Sequence, residues 1–537
     1  MDVILFGSGF VRFRGNPECE KRGERGMSSA DWSEGYVVSV DYTKGFYREL
    51  APSLISFAAL LKGKRPPRID REFTCCELGC GLGISAAVNA ASLPQGRFYA
   101  NDFNPNHILF ARELAEESGT DNVLFLEKSF EELQRCDLPE FDFITLHGVY
   151  SWISDKNREL IRTFIRDRLK PGGLVYLSYN ALPGWAAAAP LRKIFSEIAR
   201  QNPAAPAADN LKKGFALIDL MEQTGAAFFR ANPAMKSRVE RMKSMPANYL
   251  AHEYLTEDWA QFYHSDVAAQ MAGAKVGFVG SLQVVDLIEG VALPKAAATL
   301  LQTVTDPDQA ETIKDYVLNR QFRTDVYARG TRELSPPERE EILTRTRFAL
   351  LRPRTECPLT VRFPLGEVNL DEKIYGPLLN LLEAAPVSAR EVKSRAETAE
   401  LADAAVMEAL MILTAAGYIQ PLPGTGQEVN TAPARRFNDA ALRRLKQGRE
   451  LPALASPVLG HGLPVGLPDQ LFLAAEQEGR GGDVRFVYET MSRLGRNILK
   501  DGKAMESEGE AMEYLERLAR EFTEKRAGLL RMLGVWG

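Results

Sequence analysis

No apolar run in the 537-residue sequence reaches the roughly 18–20 residues that a membrane-spanning helix needs. Excess charge of either sign is missing too. Against 71 Asp and Glu stand 66 Lys and Arg, a net charge of −5, which gives no overall field to gather nucleic acid or an anionic membrane. Cysteine is scarce, six in the whole chain, so no disulfide framework is expected and a reducing cytoplasm is the expected compartment. The apolar start Met1–Phe10 carries its basic residues (Arg12, Arg14, Lys21, Arg22) behind it, the wrong order for a secretory signal. Nor does any period of 20–50 residues recur, which excludes a repeat array. Cys75, Cys76 and Cys80 lie close together but lack CxxC spacing and a nearby histidine. They fall on a strand-like run and its turn, and read as buried thiols with no metal.

What is present is the mix of an ordinary globular protein, 45% hydrophobic and 26% charged, in a chain long enough for about three domains. Residues 1–26, rich in Gly, Arg and Glu, read as a disordered extension ending at Met27, itself a possible start. Tyr36 to Leu61 reads as an aromatic-studded helix ending before Gly63 and Pro66-Pro67. Then strand and helix alternate: strand Phe73–Gly79, helix Ile84–Leu93, strand Arg97–Phe103, helix Pro105–Ser118, and strands Val123–Ser129 and Phe141–Gly148. Helix Asp155–Leu169 and strand Leu174–Asn180 close the series. Short apolar strands between helices are expected of a parallel sheet covered on both faces.

Past Asn180 the sequence turns Ala-rich and helical, read as an insertion over about 190–260. Helix His264–Ala274, strand Lys275–Leu282 and strand Gln321–Arg329 then complete the sheet, the last as an edge because Arg323, Asp325 and Tyr327 alternate with Phe322, Thr324 and Val326. Residues 27–350 form this domain. Three helical segments (Lys373–Glu383, Ser388–Ser394, Thr398–Ala416) and strand Gly417–Gln420 read as a winged-helix-like domain over 351–425. Helices over 434–537 form a C-terminal domain. The expected fold is therefore α/β: a Rossmann-like seven-stranded sheet with a helical insertion, plus a mainly helical, winged-helix-like C-terminal region.

The chemistry centres on Glu77-Leu78-Gly79-Cys80-Gly81-Leu82-Gly83, between the first strand and the first helix. Glycines permit a tight turn and close approach of a ligand to backbone. The helix that follows presents free N–H groups and a positive dipole end. Asp102, 19 residues after Gly83 at the end of the second strand, is placed to accept both hydroxyls of a ribose. A dinucleotide fingerprint would need a third glycine where Ile84 stands. A glycine turn without ligand and an NAD enzyme remain the alternatives on these residues alone.

The GxGxG spacing with an acid two residues ahead resembles class I S-adenosylmethionine-dependent methyltransferases over 73–180. The resemblance implies that Glu77, Gly79, Cys80, Gly81, Gly83, Asp102, Phe103, Ser129, Phe130 and His147 bind the cofactor, with Phe130 stacking on adenine. It narrows further. Asn101–Ile108, Leu146–Ser154, Ser178–Trp185 and the core Tyr249–Leu255 are similar to the rickettsial-type protein-lysine methyltransferases, which carry a helical methyltransferase regulatory region and a winged-helix-like part. That similarity covers most of 27–420.

Methyl transfer from a sulfonium needs mostly in-line alignment at about 3–3.5 Å. A lysine acceptor must also lose a proton, and aromatic walls stabilise the methylammonium product. His147, Tyr150, Tyr179 and Trp185 are the catalytic candidates, at the carboxyl ends of strands four and five. Trp152 joins them as wall or helix staple, His107 as cap or ligand contact, and Tyr42, Phe46 and Tyr47 as a cover. Tyr249, His252 and Tyr254 read as packing between insertion and sheet. The candidate recognition helix of the winged part holds Glu400, Asp403 and Glu408 without Lys or Arg, so no DNA is expected there. Arg435, Arg436, Arg443, Arg444 and Lys446 read as a solvated helix face. The C-terminal half is expected to serve protein contacts or dimerisation. Three functions stay open: a protein-lysine methyltransferase, a methyltransferase for a metabolite or natural product, and a non-catalytic cofactor-sensing module.

Overall fold

The computed structural model describes residues 44–288, 290–424, 429–500, 503–505 and 507–537; the expected extension 1–26, Met27 and Tyr42 lie outside the described residues. Gly45 to Tyr47 is extended, a 3₁₀ turn covers Arg48–Leu50, and α1 spans only Pro52–Leu61. The long helix expected from Tyr36 is thus confined, among described residues, to the stretch after Pro52, whose fixed φ suits a helix start.

The alternation that follows is β1 (Phe73–Leu78), α2 (Ile84–Ser92), β2 (Gly96–Asp102), α3 (Pro105–Ser118), β3 (Val123–Glu127), α4 (Phe130–Leu133), β4 (Phe141–Leu146), α5 (Asp155–Arg168) and β5 (Leu169–Asn180). α3 has the limits its sequence signals require. The Asn104 side chain accepts from the Asn106 N–H, Pro105 opens the helix, and Gly119 closes it at φ 62°. The insertion follows as α6 (Ala189–Gln201), α7 (Ala207–Gln223), α8 (Ala227–Ala231), α9 (Ala234–Lys243) and α10 (Ala247–Leu255). Then come α11 (His264–Gly273), β6 (Gly277–Ser281), α12 (Lys295–Gln302), α13 (Pro307–Leu318) and β7 (Phe322–Ala328).

The seven strands order as β3-β2-β1-β4-β5-β7-β6, parallel through β5, with β7 antiparallel to both β5 and β6. The strand expected at the edge, β7, is therefore interior, and β6 is the edge. Its charged alternation misled because the charges are buried rather than solvated. The Arg323 guanidinium donates to Asp325 at 2.9 Å, to Asp315 at 2.7 Å and to Glu311 at 2.9 Å. His264 sits between Asp325 at 3.2 Å and Asp308 at 3.3 Å.

Each sheet face has its own core. Phe73, Cys75, Phe98, Phe125 and Phe143 pack against α2 and α3; Cys76, Leu78, Ile144, Val175 and Leu177 pack on the other face with Ile161 and Ile165 of α5 and Met271 of α11. The insertion has a separate core built on Phe195, Leu211, Ile218, Val239 and Tyr254.

The chain continues through α14 (Pro336–Arg345), β8 (Arg347–Leu350), a hairpin of β9 (Thr360–Phe363) and β10 (Gly366–Asn369), α15 (Glu372–Ala384), β11 (Val387–Ser388), α16 (Ala389–Lys393), α17 (Asp403–Ala415) and β12 (Ile419–Pro421). β8 lies between β11 and β12 in a small antiparallel sheet. The acidic α17 turns Val406, Ala409, Leu410 and Leu413 into the core beneath it, joined there by Phe57, Leu60 and Leu61 of α1.

Last come α18 (Ala432–Lys446), the hairpin β13 (Ala453–Ser456) and β14 (His461–Pro464), α19 (Leu467–Gln477), α20 (Val484–Arg493), α21 (Glu508–Glu521) and α22 (Ala527–Met532). These helices share the core of the first sheet face: Phe437, Ala441, Leu445 and Phe472 cluster with residues of α2 and α3. Arg444 is correspondingly not on a solvated face. Its side chain is 2% exposed, lies 4.9 Å above the Phe110 ring, and donates to Glu117 of α3 at 2.8 Å.

Candidate active site

The loop between β1 and α2 is held from both ends. Gly79, Gly81 and Gly83 have φ of 72°, 54° and 65°, in the left-handed region where side chains are strained. A Cβ on Gly79 would meet Val149 at 2.6 Å, and one on Gly83 would meet Phe125 at 2.5 Å. The N–H groups of Gly79 and Cys80 both donate to the Asn101 carbonyl at 2.9 Å. Asp102, at the end of β2, accepts from the Gly81 N–H at 2.9 Å through Oδ2, and from the Asn104 N–H at 2.9 Å through Oδ1. His107 adds its Nδ1 at 3.2 Å from the same Oδ1.

A cavity opens over this loop. Glu77, Gly81, Asp102, Phe103, Ser129 and Phe130 line it on one side, and His147, Gly148 and Trp152 on the other. Gly79, Cys80 and His107 contribute as well, so of the residues expected to bind the cofactor all but Gly83 line this cavity; Gly83 packs behind the loop against Phe125 and Ala111. Ser129 has a second task, capping α4: its Oγ accepts from the Glu132 N–H at 3.2 Å, and Glu132 Oε2 accepts from the Ser129 N–H at 2.8 Å. The Glu77 carboxyl is buried, and burial, with the nearby Asp102 charge, raises it to about 8.

His147, just past β4, is clamped between rings. Tyr47 stacks on it at 4.2 Å, and Tyr176 lies parallel at 6.0 Å with its hydroxyl 2.8 Å from Nδ1. Burial lowers the imidazole to about 4, so it is neutral near pH 7. Tyr47 is held by its own N–H donating to Ser85 Oγ at 3.0 Å. Phe46 turns away to the C-terminal hairpin, 6.3 Å from the His461 ring.

On the far side of His147 lies a second cavity of about 500 Å³. Tyr47, His147, Gly148 and Trp152 belong to both, so the two spaces meet there. Trp185 lines the second, with the Arg238 guanidinium 4.4 Å above its ring and Trp259 edge-on at 5.4 Å. Tyr249, His252, Glu253 and Tyr254 of α10 line it too. Tyr249, His252 and Tyr254 were read as packing between insertion and sheet; Tyr254 does pack in the insertion's core, but all three also line this cavity, with Glu253, Arg238, Arg241 and Gln321, which the motifs did not flag, and Asn180. Tyr249 recurs one helical turn before Glu253, the only signal in the sequence that could have set them on one face.

Two catalytic candidates point elsewhere. Tyr179 is fully buried, and its hydroxyl donates to Asp325 at 2.8 Å on the charged side of the sheet. Side chains alternate along β5, so its neighbour Asn180 reaches the cavity in its place. Tyr150 is buried as well, donating to Gln270 of α11 at 2.6 Å and accepting from Arg162 at 3.1 Å. Neither lines a cavity at the carboxyl ends of the strands. Cys75, Cys76 and Cys80 are free thiols, and among the described residues no group of His, Cys, Asp and Glu has the arrangement of a metal site.

A seven-stranded sheet with β7 antiparallel to its neighbours, a glycine loop and an acid ending β2 defines a class I methyltransferase. Family models agree: residues 76–175 match "Methyltransferase domain" and residues 246–329 match "Predicted methyltransferase regulatory domain". An uncharacterized Synechocystis protein, sll1526, is 42% identical over 94% of this chain and 99% of its own. The uncharacterized Rickettsia prowazekii protein RP789 is 25% identical over 53% of this chain and 51% of its own. The structure of PKMT2 from Rickettsia typhi in complex with AdoHcy has the same fold, with a TM-score of 0.67 at 17% identity, covering 92% of this chain and 99% of that one. The chain belongs to the family of S-adenosylmethionine-dependent class I methyltransferases that carry a methyltransferase regulatory domain. No helix among the described residues is long and apolar enough to cross a membrane.

The residues present fit that cofactor. The left-handed Gly79 and Gly81 put bare backbone on the cavity wall, and Asp102 Oδ2, which among the described residues accepts only from the Gly81 N–H, keeps a lone pair for a ligand hydroxyl. No donor among the described residues reaches the buried Glu77 carboxyl, so a cationic ligand group would find it available.

Proposed function

We propose that the protein transfers a methyl group from S-adenosylmethionine to the side-chain amine of a protein lysine. The cofactor supplies an activated methyl on a sulfonium. Glu77, the Gly79–Gly83 loop, Asp102, Phe103, Ser129 and Phe130 hold it, and His147 with Trp152 forms the boundary across which the methyl passes. One observation carries the lysine reading. The second cavity is lined by the aromatic side chains of Trp152, Trp185 and Tyr249 together with one carboxylate, Glu253, which suits a long side chain ending in a cation. The neutral His147 repels no incoming ammonium. The fold shared with PKMT2 of Rickettsia typhi supports this reading.

A carboxylate-bearing small acceptor is the second reading, favoured by Arg238 and Arg241 in the same cavity. Labelled methyl transfer into a fractionated lysate separates the two. Lysine methylation in the protein pool, located by peptide mass spectrometry, is expected; label confined to small molecules would overturn the lysine assignment and keep the methyltransferase.

A further inference from the structure

The second cavity contains a carboxylate with no evident structural task. Glu253 lies on α10, one turn beyond Tyr249 on the same helical face, and both line the cavity. The cations nearest to it are committed elsewhere. Arg238 lies over Trp185 at 4.4 Å and donates to Gln321 Oε1 at 3.2 Å. Arg192 lies over Trp259 at 4.7 Å and donates to the Thr256 carbonyl. Among the described residues no donor reaches the Glu253 carboxylate, although both guanidiniums stand close enough to act on it through space.

We infer that Glu253 of the regulatory insertion receives the acceptor's ammonium group, holding it beside the Trp152–His147 boundary and taking its proton before methyl transfer. The inference rests on the lysine reading above and adds to it the group that makes the amine nucleophilic. The ammonium gives one proton to the carboxylate. The freed lone pair then forms the N–C bond as the C–S bond breaks, its electron pair remaining on sulfur as a neutral thioether. The proton leaves Glu253 for solvent.

Burial raises the Glu253 carboxyl to about 7, with Arg238 and Arg192 pulling it down, which leaves it able to accept a proton near neutral pH. Facing it are Arg238 and Arg241 from α9, Arg192 from α6, Tyr249, His252 and Tyr254 from α10, and His147 and Tyr47 from the sheet side. Burial keeps the Tyr249 hydroxyl up at about 12 and His147 down at about 4, so neither titrates in this range. His252 is the other candidate, and a His252→Asn variant distinguishes it.

The test uses the full chain and n-butylammonium, which mimics the end of a lysine and, like it, loses its proton only near pH 10.4, at about the lysine value. Tryptophan fluorescence reports entry, because Trp152 and Trp185 line the cavity. The wild-type protein should bind the probe saturably, more tightly as pH rises through about 7. Glu253→Gln should weaken it at least about tenfold and remove the pH dependence, while uncharged n-pentanol binds both proteins alike and His252→Asn keeps the profile. Equal butylammonium affinity in wild type and Glu253→Gln, or no saturable binding in the wild type, would overturn the inference. Methylation of protein lysines alongside such a result would show that only the role of Glu253 had failed. Glu253-dependent binding with label only in small amines would show the reverse.

Discussion

Asp102 and Gly81 are tied directly: the Gly81 N–H donates to the Asp102 carboxylate at 2.9 Å, so the end of β2 fixes the shape of the glycine loop after β1. One side chain thus shapes the loop and, in the proposed site, receives the ribose. Asp102→Ala should weaken S-adenosylhomocysteine binding by about 2–4 kcal/mol, since charge-assisted bonds and the loop anchor go together. Calorimetry checks this, and unchanged affinity would remove Asp102 from the site.

Glu77 makes stability depend on pH in a direction opposite to a paired carboxylate. Its carboxyl titrates at 4.5 when unfolded and at about 8 in the fold. The folded chain therefore holds a proton that the unfolded chain releases between these values. The resulting stability is complete below 4.5 and is lost as pH rises to about 8. Glu77→Gln should flatten the melting temperature over this range and raise it by a few degrees near pH 8.5, where the native residue is a buried charge. Parallel pH profiles in the two proteins would show that the group is solvated.

Trp185 and Tyr179, six residues apart in sequence, should separate function from stability. Trp185→Ala should cut turnover about tenfold or more, roughly 1.4 kcal/mol, and leave cofactor affinity unchanged. Tyr179→Phe should leave turnover intact and cost about 1–3 kcal/mol of stability, because Asp325 loses a donor in a buried network. Steady-state kinetics with thermal melts on both variants decide between these roles, and a kinetic defect in Tyr179→Phe would return it to the active site.

The contrast shows what a linear sequence can disclose. β1 to β5 were legible because buried parallel strands are short apolar runs punctuated by glycine and helix caps, as at Asn104 and Gly119. The cofactor side was legible because Glu77 to Gly83 and Asp102 are local in sequence. The acceptor side was not. Tyr249 and Glu253 lie about a hundred residues from His147 by chain, and only the folding of α9 and α10 over the sheet brings them to it. Tyr179 was misplaced by one residue of strand alternation, and β7 because a buried ion cluster has the same sequence pattern as a wet face.

Glu117 and Arg444 join α3 to α18 across the C-terminal interface. Glu117→Ala leaves a buried guanidinium with Phe110 for company and should destabilise the protein toward the low end of about 3–5 kcal/mol; Arg444→Met, which keeps the packing, should cost less. Denaturant melts of both variants measure the difference, and the reverse order would show that the contact is governed by packing alone.

The central claim is that two cavities meeting at His147, Gly148 and Trp152 hold cofactor and acceptor on opposite sides. A crystal structure of the protein with S-adenosylhomocysteine tests it most directly. The account predicts adenosine between Asp102 and Phe130, with the sulfur directed at the His147–Trp152 boundary and the second cavity beyond it. A ligand seated elsewhere, or with its sulfur turned away from that boundary, would contradict it.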